Sequence, residues 1–160
     1  MLVKSAKIVL CLLWVLFLSF PGAGPTEEIN KDGRFIANND GTVLDQKSGL
    51  MWATKDNGED VNWQGAQRYC ERYRGGGFED WRMPTLDELA GLYDKAKTHT
   101  AGCGHDVNLT ESIGLTCAWA WTSEKRGSDA ALFFFTEGRR IWRHQSFSYL
   151  YRALPVRSGK

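Results

Sequence analysis

Past residue 34 the chain alternates short apolar runs with turn-forming clusters. Phe35-Ile36-Ala37, Thr42-Val43-Leu44-Asp45 and Leu50-Met51-Trp52-Ala53 are separated by Asn39-Asp40-Gly41 and Lys47-Ser48-Gly49. Runs of this length, bounded by Asn, Asp and Gly, predict strands joined by tight turns, so a hairpin or meander opens the domain. The period then changes. Trp63, Ala66, Tyr69, Cys70 and Tyr73 recur at helical spacing behind Asn62, a capping residue, and Gly75-Gly76-Gly77 stops the helix. No Lys-Ser/Thr follows these glycines, so they read as a terminator and not as a phosphate-binding loop. A second helix follows Pro84: Thr85-Leu86-Asp87-Glu88 has the capping-box pattern, and Leu86, Leu89, Ala90 and Tyr93 form its apolar stripe. Residues 97–117 predict a long irregular stretch. Short strands are expected over 119–123, 130–135, 140–143 and 152–156. Helices in the middle with strands at both ends predict an α+β fold with small, largely antiparallel sheets.

Ahead of this pattern, Lys4 and Lys7 precede the apolar run 8–20, and Pro21-Gly22-Ala23-Gly24 follows. A basic start, a short apolar stretch and small residues predict a secretory signal over 1–23, removed on export. Its 13 positions, all apolar but Ser19, fall short of the roughly 20 that span a bilayer, so a retained anchor is not expected. Polar residues 24–33 read as a flexible lead-in, and 34–158 as one domain. Export to the periplasm, the cell surface or the medium makes disulfides stable. Cys70, Cys103 and Cys117 remain in the exported chain. Cys103 and Cys117 flank a loop and are the favoured pair, while Cys70, on the apolar side of a helix, reads as a small buried hydrophobe.

Composition changes the picture in one respect. The chain of 160 residues carries a formal charge of +1, which gives no global basic excess to suggest nucleic acid. Charge is segregated, however: residues 124–157 contain seven basic side chains against three acidic ones. Nine of the 20 aromatic residues lie between Trp119 and Tyr151, so the last third is both basic and aromatic. Chemistry is otherwise sparse. His99, Cys103, His105 and Cys117 form no standard zinc spacing, and export favours the disulfide over a metal. Asp87 and Glu88 are placed for helix capping, and Glu79-Asp80 lies in a turn. No nucleophile elbow, HExxH or Walker motif occurs. No catalytic residue, metal or cofactor is therefore expected. Asp80, Trp81 and Arg82 are read as organising the core.

GTVLDQKSGLMW (41–52), the helix ending in Tyr69-Cys70, GGFEDWRMPTLDEL (76–89), WTSE (121–124) and RALPVRS (152–158) together resemble the Lcl C-terminal domain family, named after a collagen-like bacterial adhesin. The resemblance covers residues 34–158 and implies a C-type-lectin-like fold, two helices packed on small antiparallel sheets, related to that of formylglycine-generating enzymes. Those enzymes carry a reactive cysteine pair near the C-terminal end of the domain. This chain has no cysteine after Cys117, so a binding module is expected, with a degenerate enzyme of that type as the alternative. Residues 126–160 resemble the variable segment of retroelement-diversified proteins, which display changeable residues on a fixed lectin-like scaffold. That likeness, with the alternation of 131–138, places Phe133 and Phe135 inward and Leu132, Phe134 and Thr136 outward. It extends the expected ligand surface to Ile141, Arg143 and His144, then to Phe147, Ser148, Tyr149, Leu150 and Tyr151. The expected partner is a cell-surface protein or an anionic polysaccharide, met by aromatic faces and Arg.

Overall fold

The computed structural model describes residues 33–160 and the backbone of Glu28–Ile29. The expected signal segment, and all of the expected lead-in except Glu28–Ile29 and Gly33, lie outside the described residues. β1 (Glu28–Ile29) pairs antiparallel with β2 (Phe35–Ala37). A polar segment without periodicity gives no sign of this, because main-chain pairing at a sheet edge needs no particular side chain. β3 (Thr42–Asp45) and β4 (Leu50–Ala53) continue the meander with the expected boundaries. The last strand, β11 (Val156–Ser158), pairs with β4 and gives the order β1-β2-β3-β4-β11. The two ends of the domain therefore close one sheet.

Helix α1 (Trp63–Arg72) starts where Asn62 accepts a hydrogen bond from the Gly65 N–H, and it buries Trp63, Ala66 and Cys70. It stops two residues before the glycines, which form a tight turn with Gly76 in the left-handed region at φ 64°. α2 (Leu86–Leu92) has the complete capping box between Thr85 and Glu88. Its apolar stripe differs from expectation. Leu89 and Leu92 are buried, whereas Ala90 faces solvent and Tyr93 ends the helix as its C-cap. The stretch 97–117, expected to be irregular, contains a hairpin of β5 (Thr98–Thr100) and β6 (Asp106–Asn108). The single strand expected over 152–156 divides. β10 (Tyr151–Arg152) runs parallel to β7 (Trp119–Arg126), and the chain crosses through Ala153, Leu154 and Pro155 to β11 in the other sheet.

The second sheet has the order β10-β7-β8-β9, with β7 (Trp119–Arg126), β8 (Asp129–Phe134) and β9 (Arg139–His144). Both of its faces are covered. Phe133 and Phe135 join a core that includes Val43, Trp52, Leu89, Leu109, Ile113 and Leu154. Leu132 and Trp121 join another beneath α1 with Trp63, Ala66, Cys70 and Met83. Among the described residues the architecture is thus α+β, two α-helices with mainly antiparallel sheets.

The β7–β8 register shifts between Trp121 and Lys125, leaving Thr122, Ser123 and Glu124 opposite Ala131 alone. Bulged residues have main-chain groups free for other partners. Here the Trp63 indole N–H donates to the Thr122 carbonyl at 2.9 Å, and the Ser123 N–H donates to the Pro84 carbonyl at 2.9 Å. The Leu86 N–H, at the start of α2, donates to Glu124 Oε1 at 2.8 Å. One bulge therefore ties both helices to the sheet. Asp80, Trp81 and Arg82 serve the same scaffold. Arg82 exchanges two main-chain hydrogen bonds with Val156, and its guanidinium meets Glu88 at 2.6 Å. Trp81 is buried, with its N–H on the Gly75 carbonyl at 3.2 Å.

Candidate functional site

The candidate surface is built on the edge strand β9 and the loop that follows it. Directly opposed residues on neighbouring strands share a face. Trp121↔Leu132↔Ile141 and Trp119↔Phe134↔Arg139 therefore place Leu132, Phe134, Ile141 and Arg143 on the face toward α1. Phe133↔Arg140, Ala131↔Trp142 and Asp129↔His144 define the other face. The expected alternation along β8 is thus correct as geometry, but the outward positions are not solvent-facing. Leu132 is fully buried, sealed by α1, and leaves the candidate surface. Phe134 is also buried, stacked on Trp119 with ring planes 3° apart and centroids at 4.7 Å. His105 meets the edge of Trp119 at 4.7 Å and the Arg139 guanidinium lies over Phe134 at 5.6 Å, so a stack of four side chains covers this end of the sheet. Sequence reasoning missed Trp119, His105 and Arg139 as its members.

The remaining expected residues do not form one patch. Thr136 lies in the β8–β9 turn, and its hydroxyl donates to the Asp106 carbonyl. At about 3.3 Å per residue, the six residues of β9 put it roughly 20 Å from the His144 end. Ile141 and Tyr151 are half-buried against the core beneath α1, and Tyr151 contacts Trp121 edge-on at 5.2 Å. At the far end Arg143 and His144 close β9 on its two opposite faces, and Phe147, Ser148 and Tyr149 follow in the loop beyond them. Phe147 is 55% and Tyr149 75% exposed; they are the only large apolar side chains so exposed among the described residues. The His144 ring lies 6.1 Å from Phe147, and its Nδ1 shares a hydrogen bond with Ser146 Oγ at 2.8 Å.

This loop is pinned at both ends. Gln145 donates through its main chain to the Ser128 carbonyl and through its side chain to the Gly127 carbonyl, both at 2.9 Å. The Gln145 carbonyl accepts from the Trp63 N–H, and the Tyr151 carbonyl accepts from the Val61 N–H. Leu150 is held at φ 63°, a conformation that costs an L-residue roughly 1–2 kcal/mol. Its N–H donates to Asp60 Oδ1 at 3.1 Å, the atom that also accepts from Arg152 Nη1 at 2.7 Å. Arg152 is buried, and its Nε donates to Thr116 Oγ1 at 2.6 Å. Thr116 in turn donates to Asp56, whose carboxyl burial pushes upward against those bonds and against the charge of Arg152. A chain of polar contacts from a buried carboxyl to a strained leucine fixes where Phe147 and Tyr149 project.

Part of the positive balance of the tail is spent in ion pairs, and only Arg152 and Arg157 of its basic residues are buried. Arg152 pairs with Asp60 and Arg139 with Glu137, while Arg157 pairs with Asp80 at 2.6 Å and covers the Phe78 ring at 3.8 Å. The bond from Arg157 holds the Asp80 carboxyl below its usual range. Arg126 and Arg140 flank the Trp142 ring at 4.3 and 5.3 Å, and Lys125 lies over Trp63 at 4.5 Å. Arg143 is exposed, with one bond to the Trp142 carbonyl. Among the described residues Lys125, Arg140 and Arg143 have no carboxylate within ion-pair distance. Cys103 and Cys117 form the expected disulfide, so neither sulfur is a thiolate ligand, and Cys70 is free and buried.

No curated protein matches the chain. A family profile, the Lcl C-terminal domain, matches residues 41–157 and thereby spans β3 and β4 of the first sheet, both helices, the second sheet and the final crossover. With most of its length inside that match, the chain belongs to the Lcl C-terminal domain family.

Proposed function

We propose that this domain is an exported, C-type-lectin-like binding module, not an enzyme, and that it engages a protein or an anionic polysaccharide through Arg143, His144, Phe147, Ser148 and Tyr149. One observation carries the reading: the two exposed large apolar side chains among the described residues project from a short loop that is anchored at both ends by hydrogen bonds. Burying large aromatics is the strongest single gain an interface has, and a preorganised loop loses little entropy when it binds. Arg143 adds an unpaired guanidinium suited to carboxylate or sulfate. The carboxylates Asp45, Asp60, Asp80 and Glu88 are committed to Arg partners, which supports binding over acid–base catalysis. Export rests on the basic and apolar start of the chain together with the disulfide.

The test is a glycan and protein array probed with the wild type, with Phe147→Ser/Tyr149→Ser and with Arg143→Ala. Tyr151 is excluded because it packs on Trp121. The double variant is expected to keep its stability within about 1 kcal/mol, since exposed side chains add little to folding. Its binding is expected to fall at least tenfold, and Arg143→Ala is expected to weaken anionic hits selectively. A folded double variant that retains every wild-type hit refutes the proposal.

A further inference from the structure

A concavity of about 520 Å³ lies between α1 and the segment 57–61, and no residue of the loop 145–150 lines it. It is independent of the surface proposed above. Arg68 and Arg72 are four residues apart on α1, and the ring of Tyr69 on the helix lies 6.3 Å from that of Tyr73, its C-cap, so guanidinium groups stand beside a pair of phenol rings. Arg74 joins them just beyond the helix, and Glu59 lines the same concavity from the other segment.

The lining is built and held in place. Tyr73 donates its hydroxyl hydrogen to the Gly41 carbonyl at 3.0 Å and meets the edge of Trp81 at 4.8 Å. Arg74 Nη1 donates to the carbonyls of Glu71 and Tyr73 at 2.9 and 2.8 Å, leaving the rest of its fork free. The segment 57–61 is fastened by main-chain bonds from Asn57 to Ala153 and from Val61 to Tyr151. Among the described residues no carboxylate reaches ion-pair distance of Arg68, Arg72 or Arg74, and no cation reaches Glu59. The nearby Glu71 accepts from Gln67 at 2.9 Å. The groove therefore presents three unpaired guanidinium groups, two aromatic rings and one unpaired carboxylate.

We infer that this groove binds a peptide segment of mixed charge, with its carboxylates on Arg68, Arg72 and Arg74 and an ammonium group or main-chain N–H on Glu59. Guanidinium groups take carboxylates in paired hydrogen bonds, and the half-buried tyrosine rings offer apolar surface to the stems between them. Glu59 decides the class of occupant. A chain negative at every unit meets like charge there, whereas a peptide supplies N–H donors beside its acidic side chains.

The experiment uses fluorescence polarisation on the full chain with three labelled probes: an acidic hexapeptide with one central lysine, the same peptide with that lysine acetylated, and a uronate hexasaccharide. The lysine peptide is expected to bind tightest. Arg68→Ala/Arg72→Ala, both exposed and verified as folded by circular dichroism, is expected to weaken it at least tenfold. Glu59→Gln is expected to abolish the preference for lysine over acetyl-lysine, and Phe147→Ser/Tyr149→Ser to leave all three affinities unchanged, which separates this groove from the loop surface. The inference is overturned if no peptide binds, if the arginine pair has no effect, or if the saccharide binds as tightly as the peptide with Glu59→Gln altering neither.

Discussion

Arg152→Met removes the head group that joins the loop to the scaffold while keeping most of the aliphatic stem. The side chain of Arg152 is 7% exposed and that of its partner Asp60 41% exposed. Three hydrogen bonds from the guanidinium are lost, to Thr116 Oγ1, Asp60 Oδ1 and the Tyr151 carbonyl, and bonds from a charged group contribute about 1.5–3 kcal/mol each. Three effects reduce that sum. Asp60 regains water, Thr116 keeps its bond to Asp56, and the desolvation cost of the buried cation disappears. The net loss expected is about 1–3 kcal/mol, or a fall in Tm on the order of 3–15 °C for a domain of this size. The local effect is the more telling. Once Asp60 is no longer fixed by Arg152, the Leu150 N–H loses a positioned acceptor and its left-handed backbone is free to relax. Hydrogen exchange at Leu150 and Tyr151 is expected to accelerate more than exchange in β7 and β8, and binding through Phe147 and Tyr149 to weaken although neither residue is altered. An unchanged Tm together with unchanged exchange at Leu150 refutes the argument that this chain of contacts positions the loop.

The Cys103–Cys117 bridge closes a loop of sequence separation 14, for which chain entropy predicts about 3 kcal/mol; Cys103→Ala/Cys117→Ala is expected to lower stability by about 2–4 kcal/mol in chemical denaturation. Cys70 is fully buried, and burial raises its thiol far above the usual range, so alkylation is expected only under denaturing conditions, with mass spectrometry counting one modified cysteine in the non-reduced protein from which residues 1–23, and Cys11 with them, have been removed. Glu88 is held below its usual value by the bond from Arg82, against burial and with help from Thr85. Its contribution is therefore complete above the unfolded value near 4.5 and is lost as pH falls through the lower folded value. Glu88→Gln is expected to cost about 1 kcal/mol at pH 7, and the difference from wild type in urea melts is expected to vanish in strong acid.

The sequence disclosed those parts of the fold that rest on short-range physics. Asn62 and Thr85 announce the helix starts because capping is decided within four residues. The strands β2, β3 and β4 are separated by turns with their own residue chemistry, and the paired cysteines flank one loop. The hairpin 98–108 pairs locally, Thr98 with Asn108 and Thr100 with Asp106, but its mainly polar residues show no apolar alternation, whereas the division of the last strand depends on partners far along the chain, of which local pattern carries no record. Tyr151 and Arg152 are fixed by Trp119 and Ala120, and Val156 by Trp52.

The candidate surface shows most directly why the rest was hidden. Folding β7 and β8 about the Gly127-Ser128 turn with the pairing of Lys125↔Ala130 continued inward would put Trp121 opposite Phe134 and leave Leu132 opposite Ser123, away from the two tryptophans. The bulge at 122–124 moves the register by two residues, so Trp121 opposes Leu132 and Trp119 opposes Phe134. A shift of two preserves which face each side chain occupies and changes only how far along the sheet it sits. The alternation of 131–135 therefore reads correctly while its consequence for exposure does not: Leu132 slides under α1 and Phe134 is sealed by the Trp119 ring. The cause of the shift is tertiary, because Thr122, Ser123 and Glu124 give their polar groups to Trp63, Pro84 and Leu86. Display then falls to the segment beyond β9, where no helix covers the chain and Phe147 and Tyr149 stand exposed. The bulge that fastens both helices to the sheet thus also decides which of the aromatic residues of the tail are left for a partner.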